Sequence, residues 1–376
     1  MSRIAWFPVK HRRSTVVDMD TSVASQQIAR ESSLRRPSRR LPDHSRCEKK
    51  ELTGCPICQR AFSAVLWLSA SLVPALAKTL AIPPDRCMRW RILGPDGRVL
   101  PVGRVARWMG VAMELIVLGG SAAAPNPGDA SAGYLIVGGE TSILLDCGSG
   151  VVSKLRERCD PRALSAIVIS HLHSDHTLDL VALRYTLQYA PPGPGATIPL
   201  YLPPHGQEFL GRLGGVFASG NERPEGFWDR TLALLDYAPH LASGTPLRIG
   251  GFALTFAPMQ HYIPVWAIRI EEIATGRVLT FSADTGPHAP LADFARGSDV
   301  LLCEATLLEQ APGSDPSEWG HLTGREAGQI AADAGVSRLI LTHLWAELGF
   351  EHYREDASLA FHGRIDLAHA GLKISI

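Results

Sequence analysis

Residues 167–180 read IVISHLHSDHTLDL, a short β-branched run followed at once by three histidines and two aspartates. In an extended segment, positions i and i+2 point the same way, so His171 and His173 converge on one point. Asp175 and His176 fall in the turn that follows, where they can reach a second point close by. Imidazole and carboxylate together suit zinc, and also manganese or iron, better than calcium or magnesium. The bland alternative is a solvated turn rich in histidine. That reading accounts for a lone histidine, but no packing requirement calls for three imidazoles and a carboxylate within six residues.

Around this stretch, from Met113 onward, the chain alternates β-rich runs with helical patterns. ELIVLGG, GYLIVGG, TSILLD and SAIVIS read as strands, and SGVVSKLRER as a helix; later come IPLYL, FALTFAP, VWAIRIEE, RVLTFSAD, DVLLCEA, RLILTHL and LKISI. The clearest helix begins at Thr323, where Thr323 and Glu326 form a capping box and Gly335 supplies the stop. Mixed strands and helices of this kind predict an α/β fold, two mixed sheets with helices outside.

Three further candidate donors each close an apolar run: His261 ends FALTFAPMQH, Asp284 ends VLTFSAD and His343 ends RLILTH. Strand ends are rigid, and sites are commonly built on the loops leaving them. Taken singly, each residue reads equally well as an ordinary strand-end polar group. Together with H-x-H-x-D-H they supply what a site for two ions needs.

The formal charge is balanced overall, yet unevenly distributed. Residues 1–112 hold 20 Lys+Arg against 8 Asp+Glu, a net +12, and the remainder carries −12. The first part contains the Arg- and Ser-rich RESSLRRPSRRLPDHSR, which predicts a basic, poorly structured extension. An alternative takes Met113 as the true start of the protein. Cys47, Cys55 and Cys58, with His44 or Cys87, offer a weak zinc pattern, since one C-x-x-C lacks a well-spaced second pair. The uncharged run from Ala61 to Ala77 falls short of the roughly 20 residues a spanning helix needs, so no stable membrane association is expected. Cys147, Cys159 and Cys303 are odd in number and scattered, which fits a reducing, cytoplasmic setting rather than a disulfide framework.

These motifs, with MELIVLGGSAAAPNPGDASAGYLI, LLDCGSG, HYIPVWAIRI, FSADTG, LLCEAT and GHLTGREAGQIAADAGV in the same order, strongly resemble the metallo-β-lactamase superfamily, and within it the ribonuclease Z-like branch. The resemblance runs over about residues 113–376. It implies a four-layer αβ/βα sandwich and two divalent ions, with zinc first in line and manganese or iron as alternatives. By that resemblance His171, His173 and His261 would hold one ion, Asp175, His176 and His343 the other, and Asp284 would bridge them. Asp146 would support the metal-binding histidines, and Glu304 with His321 would deliver a proton to the leaving oxygen. A homodimer is implied as well.

Such a set predicts a hydrolase in which hydroxide bridging two ions attacks phosphorus, Asp175 orients the water and His321, held by Glu304, serves as general acid. Lactonases and thioesterases share the metal motif, but CEAT with GHLT favours phosphodiesters. Ribonuclease Z carries a long basic arm between the third histidine and the bridging aspartate, whereas here only 23 positions separate His261 from Asp284. The arm is absent, and a net charge of −12 suits a polyanion such as transfer RNA poorly. The expected substrate is therefore a small phosphodiester such as a cyclic nucleotide, with transfer RNA processing second and a non-catalytic metal-binding regulator third. For Phe217, Phe227 and Trp228, between His176 and His261, buried packing is the expected role and stacking on a base the alternative.

Overall fold

A computed structural model describes residues 112–376 apart from 219, 221, 222, 312 and 314. The expectations for residues 1–111, including the cysteine pattern and the apolar run, lie outside the described residues.

The core-facing runs pair into two seven-stranded sheets. The first sheet contains β1 (Glu114–Gly119), β2 (Gly133–Gly138), β3 (Thr141–Leu145), β4 (Ala166–Val168), β5 (Ile198–Leu202), β6 (Leu232–Asp236) and β14 (Lys373–Ser375), in the order β14-β1-β2-β3-β4-β5-β6. The second contains β7 (Leu247–Ile249), β8 (Phe252–Pro258), β9 (Trp266–Glu272), β10 (Val278–Phe281), β11 (Val300–Glu304), β12 (Arg338–Thr342) and β13 (Arg364–Leu367), in the order β13-β12-β11-β10-β9-β8-β7. Each sheet is antiparallel at one side and parallel at the other, the parallel runs being β3 to β6 and β10 to β13.

Strand alternation builds three apolar layers at once. Along β2, Tyr134 and Ile136 face a cluster shared with Phe252, Ile268 and Phe281 of the other sheet, while Leu135 and Val137 face outward. Along β11, Val300 and Leu302 join the shared cluster and Leu301 and Cys303 the outer one. Period-two residues buried on both faces require cover on both. The outer face of the first sheet carries α1 (Val151–Arg158), α3 (Asp179–Tyr189) and α4 (Gly206–Phe217). The outer face of the second is packed by α6 (Pro290–Ala295), α7 (Gly324–Ala334) and α8 (Phe350–Ser358). The result is the four-layer αβ/βα sandwich. Two short helices complete the set, α2 (Ser174–Thr177) and α5 (Ala238–Ser243).

Helix α7 begins as its sequence requires: the Thr323 hydroxyl accepts from the Glu326 amide, the Glu326 carboxylate accepts from the Thr323 amide, and Gly335 closes the helix at φ 68°. Among the described residues no helix is long and apolar enough to cross a membrane.

Two of the three aromatics named between His176 and His261 take the core role expected of them. Phe227 and Trp228 are fully buried in the outer cluster of the first sheet, where the Trp228 indole donates to the Leu210 carbonyl. Phe217 packs beside Phe227 at 6.4 Å. Burying two large rings outweighs displaying them, so Phe227 and Trp228 serve the core and offer no surface to a base.

Candidate metal centre

The parallel strands aim the site. Asp146 follows β3, His171 lies just beyond β4, Asp284 just beyond β10, Glu304 ends β11 and His343 follows β12, so the carboxyl ends of both sheets converge on one cleft. Sharp exits from the strands turn these side chains inward. Asp146, Ala283 and His343 take positive φ of 55°, 51° and 60°, conformations costly for residues other than glycine and retained at functional sites.

All seven residues read from the sequence as metal donors are brought together, in two overlapping groups. His171, His173, His261 and Asp284 form one, and Asp175, His176, Asp284 and His343 the other; within each, the donor atoms lie within 4.8 Å of one another. His173 Nδ1 stands 3.2 Å from His171 Nε2 and 3.1 Å from His261 Nε2. Asp284 Oδ2 stands 3.6 Å from His171 Nε2, 3.8 Å from His261 Nε2 and 3.4 Å from His343 Nε2, and its Oδ1 is 3.4 Å from His176 Nε2. Donors placed tetrahedrally roughly 2.0–2.1 Å from an ion stand about 3.3 Å apart, so the spacing fits a cation in each group.

Hydrogen bonding behind the rings makes the same point. His176 Nδ1 donates to Asp146 Oδ2 at 2.8 Å, and Asp146 also accepts from the Ser170 amide at 2.7 Å and hydroxyl at 2.8 Å. Having given its proton to Asp146, the Ser170 oxygen accepts from His171 Nδ1 at 3.1 Å. His261 Nδ1 donates to the Gly320 carbonyl at 2.7 Å. Thr306 Oγ1 donates to Glu304 Oε2 at 2.8 Å and therefore accepts from His343 Nδ1 at 2.7 Å. These partners engage Nδ1 of four rings, which leaves each Nε2 facing the cleft as the atom a cation would bind. His176 Nε2 is buried without a hydrogen-bond partner, an expensive arrangement that a metal ion relieves.

Protonation follows the same lines. Burial holds His171, His173 and His261 below the ordinary imidazole range, in the neutral form a metal requires. Burial disfavours the Asp284 and Asp175 charges, but the histidines facing each carboxylate outweigh it and keep both ionised. Burial equally opposes a charge on His176; Asp284 and Asp146 overcome it and raise the ring.

Beside the second group lies the predicted couple. Glu304 is fully buried and accepts from the Thr285 amide at 2.5 Å, the Thr306 amide at 3.3 Å, the Leu322 amide at 3.3 Å and His321 Nδ1 at 3.0 Å, as well as from the Thr306 hydroxyl. The His321 ring stacks on His343 at 5.4 Å and meets His261 edge-on at 4.9 Å. Burial works against its charge, but Glu304 prevails and pushes its pKa up to about 9. His321 thus stands protonated at neutral pH at the edge of the cluster.

Sequence reasoning missed Ser170, Thr306 and Gly320. Ser170 and Thr306 sit inside the quoted motifs, and the signal for Thr306 was its place two residues after Glu304. The Gly320 carbonyl has no sequence signature at all.

Fold and donors together define a metallo-hydrolase built on paired sheets. The chain belongs to the β-lactamase superfamily: the family model described as "Beta-lactamase superfamily domain" matches residues 141–344, from β3 to just past His343. An uncharacterized protein of Mycobacterium tuberculosis is 32% identical over 71% of this chain and 94% of its own length. The probable metallo-hydrolase YhfI of Bacillus subtilis is 30% identical over 69% of this chain and 98% of its own. Its crystal structure superposes with a TM-score of 0.60, covering 70% of this chain and 99% of that one. Ribonuclease Z of Thermobifida fusca is 27% identical over 70% of this chain and 94% of its own.

Proposed function

We propose that residues 113–376 form a phosphodiesterase that binds two divalent ions and hydrolyses a small phosphodiester, a cyclic nucleotide being the leading candidate. His171, His173 and His261 would hold one ion, Asp175, His176 and His343 the other, with Asp284 between them and Asp146 orienting His171 and His176. Zinc suits this donor set best, with manganese or iron as alternatives. When bound, two such ions supply a nucleophile at neutral pH and offset the charge developing at phosphorus. Asp175, kept ionised by His176 and His343, orients the attacking water. One P–O bond forms to the water oxygen, another breaks to the leaving alkoxide, and His321 gives that oxygen its proton from the nitrogen that Glu304 leaves free.

The observation that carries this reading is the His321–Glu304 couple set against the donor cluster. An alkoxide leaving from phosphorus needs a positioned acid, and a carboxylate-held imidazole stacked on His343 is one. Small size of the substrate is favoured by the hairpin between His261 and Asp284, where β9 and β10 leave only residues 273–277 as the turn. The aligned lengths agree. YhfI aligns over 261 residues for 69% of this chain, whereas the ribonuclease needs 315 for 70% and so carries residues this chain lacks. A cytoplasmic setting, favoured by the odd number and scattered placement of Cys147, Cys159 and Cys303 along the chain, and a homodimer complete the proposal.

The purified full chain, loaded with manganese or zinc, should cleave 3′,5′-cyclic AMP and bis(p-nitrophenyl) phosphate. Asp175→Ala should abolish both activities. Cleavage of precursor transfer RNA with neither small substrate turned over would replace this proposal with the nuclease reading, which the relationship to ribonuclease Z keeps in second place.

A further inference from the structure

Tyr262 follows a proposed metal ligand directly and is 64% exposed. Its ring centroid lies 4.9 Å from that of His261 and 5.7 Å from that of His321, so it borders both the donor cluster and the proposed acid. The ring is not free to wander. It lies against Gly320, where an added Cβ would come within about 2.5 Å of the ring atom Cζ, so only glycine lets the tyrosine settle there. Gly320 is in turn fixed through its carbonyl, which His261 Nδ1 engages. The neighbouring Gln260 side chain clamps the same loop by donating to the carbonyls of Pro316 and Trp319. One flank of the ring is therefore seated on backbone and the rest faces solvent beside the reacting centre. A preformed aromatic surface of this kind costs little entropy to use.

Phe227 and Trp228 are locked in the core, and a domain with a net charge of −12 gains little from general attraction to phosphate. Affinity beyond the ions must come from the part of the substrate that is not phosphate. We infer that Tyr262 is the specificity-determining residue of this site: a stacking platform for a planar base carried by the phosphodiester, which makes the substrate a nucleotide rather than an aliphatic diester. This inference rests on the phosphodiesterase reading and goes beyond it in naming what the rim recognises.

Base-on-aromatic stacking contributes roughly 1–3 kcal/mol by alanine substitution, so its removal weakens binding on the order of tenfold or more. The test uses the metal-loaded full chain with two substrates, 3′,5′-cyclic AMP and the same cyclic ribose phosphate without a base. For Tyr262→Leu, the ratio of kcat/KM between them should fall about tenfold, through KM for the nucleotide, while Tyr262→Phe keeps the ratio. Independently, the fluorescence of 2-aminopurine riboside 3′,5′-cyclic phosphate should be quenched on binding to wild type and Tyr262→Phe but not to Tyr262→Leu. An unchanged ratio with unchanged quenching overturns the inference. Should wild type cleave neither substrate, the phosphodiesterase reading fails by itself, and the quenching comparison still decides for or against stacking at Tyr262.

Discussion

Two buried carboxylates organise the cleft from opposite sheets, and they do different work. Asp146, leaving the first sheet, serves only the donor cluster: it holds His176 directly and His171 through Ser170. Glu304, ending β11 of the second sheet, divides its attention. Through Thr306 it orients His343, and directly it binds His321, which lies outside the proposed ligand set. Both side chains are wholly shut off from solvent, so each of their hydrogen bonds matters more than a surface one would. The contrast suggests a division in which one sheet's hub retains metal and the other's couples metal to proton delivery.

Asp284 stands between the hubs, and its replacement should have the largest effect. It is the one residue shared by both donor groups, so Asp284→Asn should reduce activity to background and strip metal from both positions, as measured by elemental analysis of the purified protein. Retention of a full metal complement would break the picture of two groups meeting at one carboxylate.

Next in size is the Glu304 side. Loss of a general acid costs about 10²–10⁴ in rate when the leaving group is a poor one. His321→Ala should therefore depress hydrolysis of an alkyl diester by that range yet barely affect an ester that releases p-nitrophenolate, which departs without a proton. Metal content should stay at the wild-type value. Equal losses on both leaving groups, or loss of metal, would assign His321 to the donor cluster and erase the difference between the hubs.

On the other side, Asp146→Asn keeps the shape and removes the charge behind His176. Changes at such supporting positions cost about 10–100-fold in metal affinity or activity. A chelator titration should show the weakening, with little dependence on the leaving group. The two hubs are thus separated by readout: metal affinity for Asp146, leaving-group sensitivity for His321.

Much of this was legible in the sequence because it is written in side chains with strong positional rules. Period-two apolar runs marked β1, β2, β3 and most later strands, and the capping box marked α7. The seven candidate donors stood out because H-x-H-x-D-H answers no packing requirement, and His261, Asp284 and His343, ordinary strand-end residues singly, completed the set it begins. What escaped notice was short or peripheral. β6 and β13 are edge strands without alternating burial, β7 is an edge strand of only 3 residues, and α3, with Leu180, Leu183 and Leu187 buried at helical spacing, begins directly behind the histidine motif. Within the site, the missing parts were a hydroxyl at Ser170, another at Thr306 and a carbonyl at Gly320. Such groups occur everywhere along a chain, and only three-dimensional placement singles them out.

Thr306 gives the finest test of how the second hub is divided. Its single hydroxyl proton goes to Glu304, so its oxygen must accept from His343 Nδ1, and the Nε2 lone pair is thereby turned toward Asp175 and Asp284. Thr306→Val keeps the volume but removes both bonds and a longer contact with His321 Nδ1 at 3.4 Å, leaving a buried imidazole N–H of His343 without an acceptor, at a cost of about 1–3 kcal/mol. His321 keeps its direct contact with Glu304, so proton delivery should survive. The expected result is a roughly tenfold loss of affinity for one metal equivalent, with leaving-group sensitivity unchanged and Thr306→Ser restoring the wild-type chelator titration. Should Thr306→Val instead alter the leaving-group sensitivity with metal affinity intact, Thr306 would belong to the acid, and Glu304 would serve His321 alone.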